Sequence, residues 1–340
     1  MPRVTFGLRI PPCTSPTAVA ACARAAEDAG FGIAWLPDSQ FIWRDVWASL
    51  ALTAAATEEI LVGTCVTNFE TRHASVTAAA AATIEELAPG RMLLGVGTGD
   101  SSIKTLGLRP TRLQRMREQI ELVRALQRGE ELEFDGRTMR MKSASGRATP
   151  VYLAANGPKA LALAGELADG VIMLVGLATE LIEKARSHVA EGASRAGRNL
   201  DDIDLCIGTF CHVTDDERVK AGIAKPYVVG TAQTGGRESL RAIGIDIDPP
   251  AVVAGIYPDM SHAEDWSEAV DAAAEWVTDE MGLRYAEEFC CVGDADEVIE
   301  QLEAAVDLGV RNFYVRHFGS YTLPNELVAS FGGKIIPHFA

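Results

Sequence analysis

Several short runs carry residues that could do chemistry on an anionic or flat ligand. Gly97-Thr98-Gly99-Asp100-Ser101-Ser102 follows the apolar run Met92–Val96. Its glycines let backbone N–H groups approach a phosphate or a ring closely. It matches neither GxGxxG nor a Walker loop, and a tight βα turn would use the same residues. Ala155-Asn156-Gly157-Pro158-Lys159 closes the run Val151–Ala155 and opens a helix. A proline in the first turn leaves free N–H groups at the positive helix end beside a lysine, which is anion-binding chemistry. A capped helix with a solvated Lys159 reads equally well. Asp38 ends the run Ile33–Leu36, where it could accept a hydrogen bond from a bound ring or cap a turn. The polar turn Thr67-Asn68-Phe69-Glu70-Thr71-Arg72-His73 is long enough to shape a site. Its His73 could donate a proton or serve the structure. Trp43 and Trp47 could line an aromatic pocket, or pack in the core at helical spacing.

The elements that must position these residues alternate along the chain. Glu59 to Asp100 reads as strand, helix, strand: Ile60–Val66, the alanine-rich Ala74–Leu87 and Met92–Val96. Thr71 or Ser75 is the expected N-cap of that helix, and Pro89-Gly90 ends it. Further strands are expected over Val4–Arg9, Ile33–Leu36, Val151–Ala155, Gly170–Val175, Ile203–Val213 and Asn312–Arg316. Helices fall between them, and Asp135-Gly136 signals a hairpin within Glu131–Met141. Eight strands each followed by a helix predict an α/β fold, a (β/α)₈ TIM barrel, whose ligand loops lie at the carboxyl ends of the strands. Residues 214–292 exceed one βα unit and read as an insertion at the barrel mouth of a single domain spanning 1–340. They contain a helical stretch, Ala263–Asp279, but no complete core pattern of their own.

Composition narrows the function classes. A net charge of −16 argues against a broad nucleic-acid partner, which needs a basic face. No apolar run is long enough for a membrane helix, and the amino terminus lacks a signal-peptide pattern, so a cytoplasmic protein is expected. Seven cysteines without a CxxC pair, and six dispersed histidines, predict neither a disulfide framework nor a metal site.

Three stretches go beyond a generic barrel: LPDSQFIWRDVW, VGTCVTNFETRHASVTAAAAATIEELAPGRMLLGVGTGDS with KTLGLRP behind it, and PVYLAANGPKALALAGELADGVIM. In order and spacing they resemble the bacterial luciferase-like superfamily, nearest its branch related to methylenetetrahydromethanopterin reductase. The resemblance covers residue 4 to about 213 and returns near 290 to 318. It implies a barrel that holds coenzyme F420, or alternatively FMN, at the carboxyl ends of the strands. It also implies a bulge with a non-prolyl cis peptide after the third strand, here Cys65-Val66. The family's ring-edge contacts fall on Asp38, Thr67 and Asn68. Its phosphate-side contacts fall on Gly97, Thr98, Gly99, Asp100, Ala155, Asn156, Gly157, Pro158 and Lys159. Two departures stand out. The family turn TNP-x-TRHP has lost both prolines here, which leaves the loop freer, and Ser39 follows Asp38 where some F420 dehydrogenases carry a histidine.

The function implied is hydride transfer between F420 and a small organic substrate, with Asp38 and His73 as candidate catalytic groups. The alternative is an FMN-dependent monooxygenase served by a partner flavin reductase. Homodimerisation is expected from the same resemblance.

Overall fold

The apolar runs become eight parallel strands in the computed structural model, which describes residues 4–340 apart from Asp135. They are β1 Thr5–Arg9, β2 Ile33–Leu36, β3 Leu61–Thr64, β4 Met92–Val96, β5 Val151–Ala154, β6 Gly170–Met173, β7 Asp204–Val213 and β8 Asn312–Arg316. Each pairs with the next, and β8 returns to β1 with Thr5 opposite Asn312, so the sheet closes into the expected (β/α)₈ barrel. Helices follow where the sequence places them. Pro16–Asp28, for example, starts with proline in its first turn, and Ser15 Oγ accepts from Ala18 N–H.

Alternation along each strand divides the core. Ala34 and Leu36 face the helices, together with Leu8, Val62, Leu94 and Phe313. Ile33 and Trp35 point into the barrel with Leu93, Tyr152, Ile172, Cys206 and Tyr314. At the amino-terminal end, Asp204 Oδ2 accepts from Tyr152 Oη and Asn312 Nδ2, each at 2.7 Å. Beside β1, Phe331 from the carboxy-terminal helical segment packs on Phe6 and Phe31. These contacts pack that end, and the cavity shared by the expected site residues lies at the carboxyl ends of the strands.

The hairpin signal gives Leu132–Phe134 paired antiparallel with Arg137–Met139; Asp135 itself lies outside the described residues. Between β7 and β8 the structure departs from the sequence reading in three ways. Val228, Val229, Leu240, Ile245, Met260 and Val277 form a buried cluster, so the segment does have a core of its own. Its members are scattered over some fifty positions without one period, which hides the pattern. The helical stretch Ala263–Asp279 is two helices, Trp266–Ala273 and Asp279–Phe289, because Thr278 Oγ1 caps the second by accepting from Met281 N–H. Finally, Cys290–Gly293 is an extra parallel strand on the far half of β7, with Cys290 opposite Phe210. Four residues are too few to show a strand pattern, and β7 is long enough to serve β6 first and this strand afterwards.

Candidate active site

The site begins where β3 stops pairing with β4. Gly63 lies opposite Leu93, and the ladder resumes with Thr67 opposite Val96, so β3 carries one residue more than β4 over that span. That is a β-bulge, and it explains why the strand ends at Thr64 rather than at Val66 as the apolar run suggested. The bulge is pinned on both sides. Cys65 N–H donates to Leu36 O, Thr67 N–H to Gly95 O and Gly97 N–H to Thr67 O. The Cys65–Val66 peptide is cis, as the resemblance implied. Two glycines make room for it: a Cβ on Gly95 would lie 1.9 Å from Thr64 O, and one on Gly97 would lie 2.8 Å from Val66 Cγ2.

Cys65 and Val66 thereby form one wall of a cavity of about 350 Å³ at the barrel mouth. Asp38, Gly97, Thr98, Gly99, Asp100 and Asn156, all expected from the sequence, line it as well. Thr67 and Asn68 lie behind the wall and act through it. Thr67 Oγ1 donates to Asp38 Oδ2 at 2.7 Å. Burial pushes the Asp38 carboxyl above its usual range, opposed by that hydrogen bond and by the charge of Arg72. Asn68 Oδ1 accepts from the N–H groups of Glu70 and Thr71, while its Nδ2 donates to Ser102 Oγ at 3.0 Å. Phe69 is buried, and Glu70 and Arg72 pair with Arg115 and Asp45, so contacts tie this turn to helix Leu113–Arg128 and to the loop after β2.

The remaining expected residues lie elsewhere. His73 is exposed and is itself the N-cap of helix Ala74–Leu87, in place of Thr71 or Ser75: its Nδ1 accepts from Ser75 N–H. Ala155 is buried behind the rim. Gly157, Pro158 and Lys159 open helix Pro158–Leu167 on exposed surface beyond the cavity lining; Asn156, also exposed, borders the cavity and its Oδ1 accepts from Leu174 N–H. Asp100 is paired with Lys104.

Sequence reasoning passed over Arg9 and Arg316, which end β1 and β8, and Tyr314 within β8; all three line the same cavity. Trp43, weighed as a pocket or core residue, does line it and donates from Nε1 to Ser320 O at 2.7 Å. His262, from the segment between β7 and β8, completes the lining. Its Nδ1 lies 3.0 Å from Asp259 Oδ1, and its ring meets Trp43 edge-on at 6.1 Å. Burial raises the Asp259 pKa, but hydrogen bonds from His262 and the N–H groups of Ser261 and His262 outweigh it and leave the pKa below its usual value. Polar residues closing strands one and eight were a legible signal; nothing in the sequence tied His262 to the mouth. All seven cysteines are free, and burial pushes the Cys65 thiol up to about 12, so it stays protonated at the wall.

Comparison with known proteins gives the family of this barrel. The sequence profile of the luciferase-like monooxygenase family matches residues 5–312. The chain is 30% identical to a 5,10-methylenetetrahydromethanopterin reductase of Methanopyrus kandleri, over 100% of this chain and 99% of that one. It is 32% identical to the enzyme of the same name from Archaeoglobus fulgidus, over 84% and 85%. The solved coenzyme F420-dependent tetrahydromethanopterin reductase from Methanopyrus kandleri superposes with a TM-score of 0.76 at 26% identity, covering 99% of this chain and all of that one. A monooxygenase from Streptomyces bottropensis shares the fold at 18% identity, with a TM-score of 0.67. The chain belongs to the luciferase-like family, in its methylenetetrahydromethanopterin reductase-like branch.

Proposed function

We propose that this chain is an F420-dependent oxidoreductase that transfers a hydride between the deazaflavin and a small organic substrate. The observation that carries the reading is the β3 bulge at Cys65 and Val66 walling a barrel-mouth cavity, in a chain alike along its whole length to F420-linked reductases. The residues fit such a cofactor. Cys65 and Val66 offer an apolar backing for a flat ring, Asp38 braced by Thr67 offers an acceptor at its edge, and Gly97–Asp100 with Asn156 form a polar rim for its tail. When bound, the deazaflavin supplies the hydride chemistry. The chain's own part is to hold ring and substrate at reaction distance and keep water out. Asp38 is the group best placed to touch the ring. His73, engaged as a helix cap, serves the fold.

The whole chain is read as one barrel domain whose residues 214–292 sit at the mouth and shape substrate access. The reading includes a cytoplasmic homodimer without membrane or nucleic-acid partners. Leu52, Val76 and Leu87, exposed on helices Val46–Ala56 and Ala74–Leu87, are the apolar surface such a dimer would cover, which sedimentation can test. FMN with oxygen is the less supported alternative, since the relatives named as monooxygenases share the fold alone.

Parallel fluorescence titrations with F420 and FMN test the proposal. Tight F420 binding with weak FMN binding is expected, followed by hydride-transfer assays with pterins, then alcohols and enones. The opposite preference would overturn the reading and direct work to oxygen-dependent assays with reduced FMN.

A further inference from the structure

Arg9 ends β1 and Arg316 ends β8, on neighbouring strands whose register runs through Leu8 opposite Val315. Both guanidinium groups therefore reach the same cavity side by side. Arg9 is only 3% exposed. Its guanidinium lies 5.3 Å from the Trp43 ring centre and touches neutral oxygens at the long end of hydrogen bonding: Gly319 O at 3.4 Å and Ser320 Oγ at 3.3 Å. Arg316 stacks 3.8 Å over Phe210, and its buried Nε has no hydrogen-bond partner.

The carboxylates lining the cavity are otherwise engaged, Asp38 by Thr67 and Asp100 by Lys104. Two guanidinium groups side by side and largely out of water, with no carboxylate partner among the described residues, leave donors and charge unmatched. A bound anion would offset both through charge-assisted, bidentate hydrogen bonds, for which the planar guanidinium fork is suited.

We propose that Arg9 and Arg316 anchor an anionic group, carboxylate or phosphate, of the substrate, so that this enzyme acts on an anionic organic molecule. The word substrate rests on the hydride-transfer reading; the anion site itself does not. Trp43 and His262 line the same space and would contact the body of a molecule held by that anchor.

The test is a tryptophan-fluorescence titration with inorganic phosphate and with succinate at constant ionic strength, on the protein alone and with F420 added. Arg316 is the position to vary, because Arg9 is packed into the core. Saturable binding is expected, at least tenfold weaker in Arg316→Gln and partly restored in Arg316→Lys, with F420 affinity changed less than twofold. Circular dichroism checks that both variants fold. Absence of saturable anion binding, or equal binding in Arg316→Gln, would overturn the proposal. So would an F420 affinity that falls by the same factor as anion affinity, since the pair would then be a cofactor contact. Anion binding lost in Arg316→Gln, in a protein that binds no F420, would uphold the anchor while sinking the hydride-transfer reading.

Discussion

Thr67 Oγ1 donates a 2.7 Å hydrogen bond to Asp38 Oδ2, joining the residue after the bulge to the carboxylate in the loop that follows β2. The bond stabilises the charged form of a carboxyl group whose burial favours the neutral one. Thr67→Val removes the donor at nearly constant volume, so the Asp38 pKa rises further. The acid limb of F420 binding should then move to higher pH, as read from affinity measured across a pH series. An unmoved limb would mean that Asp38 ionisation does not govern cofactor binding.

Asn68 ties the turn after the bulge together with hydrogen bonds. It is 1% exposed and serves two backbone N–H donors and Ser102 Oγ. Asn68→Ala leaves those groups unpartnered, at a cost of about 1–3 kcal/mol. Urea unfolding should show the loss, and F420 affinity should fall with it because Ser102 borders the same cavity. Unchanged stability would show that other contacts hold the turn.

His262 comes from outside the regular barrel yet lines the cavity beside Trp43. His262→Ala should raise the substrate KM several-fold and leave F420 affinity unchanged; Asp259→Asn should act in the same direction more weakly, since it loosens the imidazole without removing it. Steady-state kinetics alongside cofactor titration separates the two effects. A loss confined to F420 binding would place His262 on the cofactor side instead.

His317 supplies a pH dependence of stability. Its Nε2 lies 2.9 Å from Thr322 O, its Nδ1 is buried without a partner, and burial lowers its pKa to about 3. An unfolded histidine titrates near 6.5, so between about 6.5 and 3 the unfolded chain binds the extra proton. The contribution of neutral His317 is therefore complete above the unfolded pKa and is lost as pH falls through that window, on the order of 1 kcal/mol per pH unit. His317→Gln should flatten this part of the acid limb in denaturant titrations from pH 7 to pH 4. An identical slope in the variant would show that other groups carry it.

How much of this was legible in the sequence follows from the range over which each feature is determined. Local patterning settled the barrel: apolar runs buried on both faces, spaced by helices with recognisable starts and stops, leave few alternatives to eight parallel strands. The loops after strands two, three, four and five were legible too, and Asp38, Cys65, Val66, Gly97–Asp100 and Asn156 do meet at one cavity. Tertiary structure decided the rest. Whether Lys159 faces the cavity depends on the tilt of its helix, and whether His73 is free depends on which side chain caps the next one; no local pattern encodes either. Arg9 and Arg316 stand 307 positions apart and become neighbours only because barrel closure pairs the first strand with the last. His262 reaches the mouth because a scattered apolar set between β7 and β8 packs into a cluster of its own, a long-range condensation without a period to read.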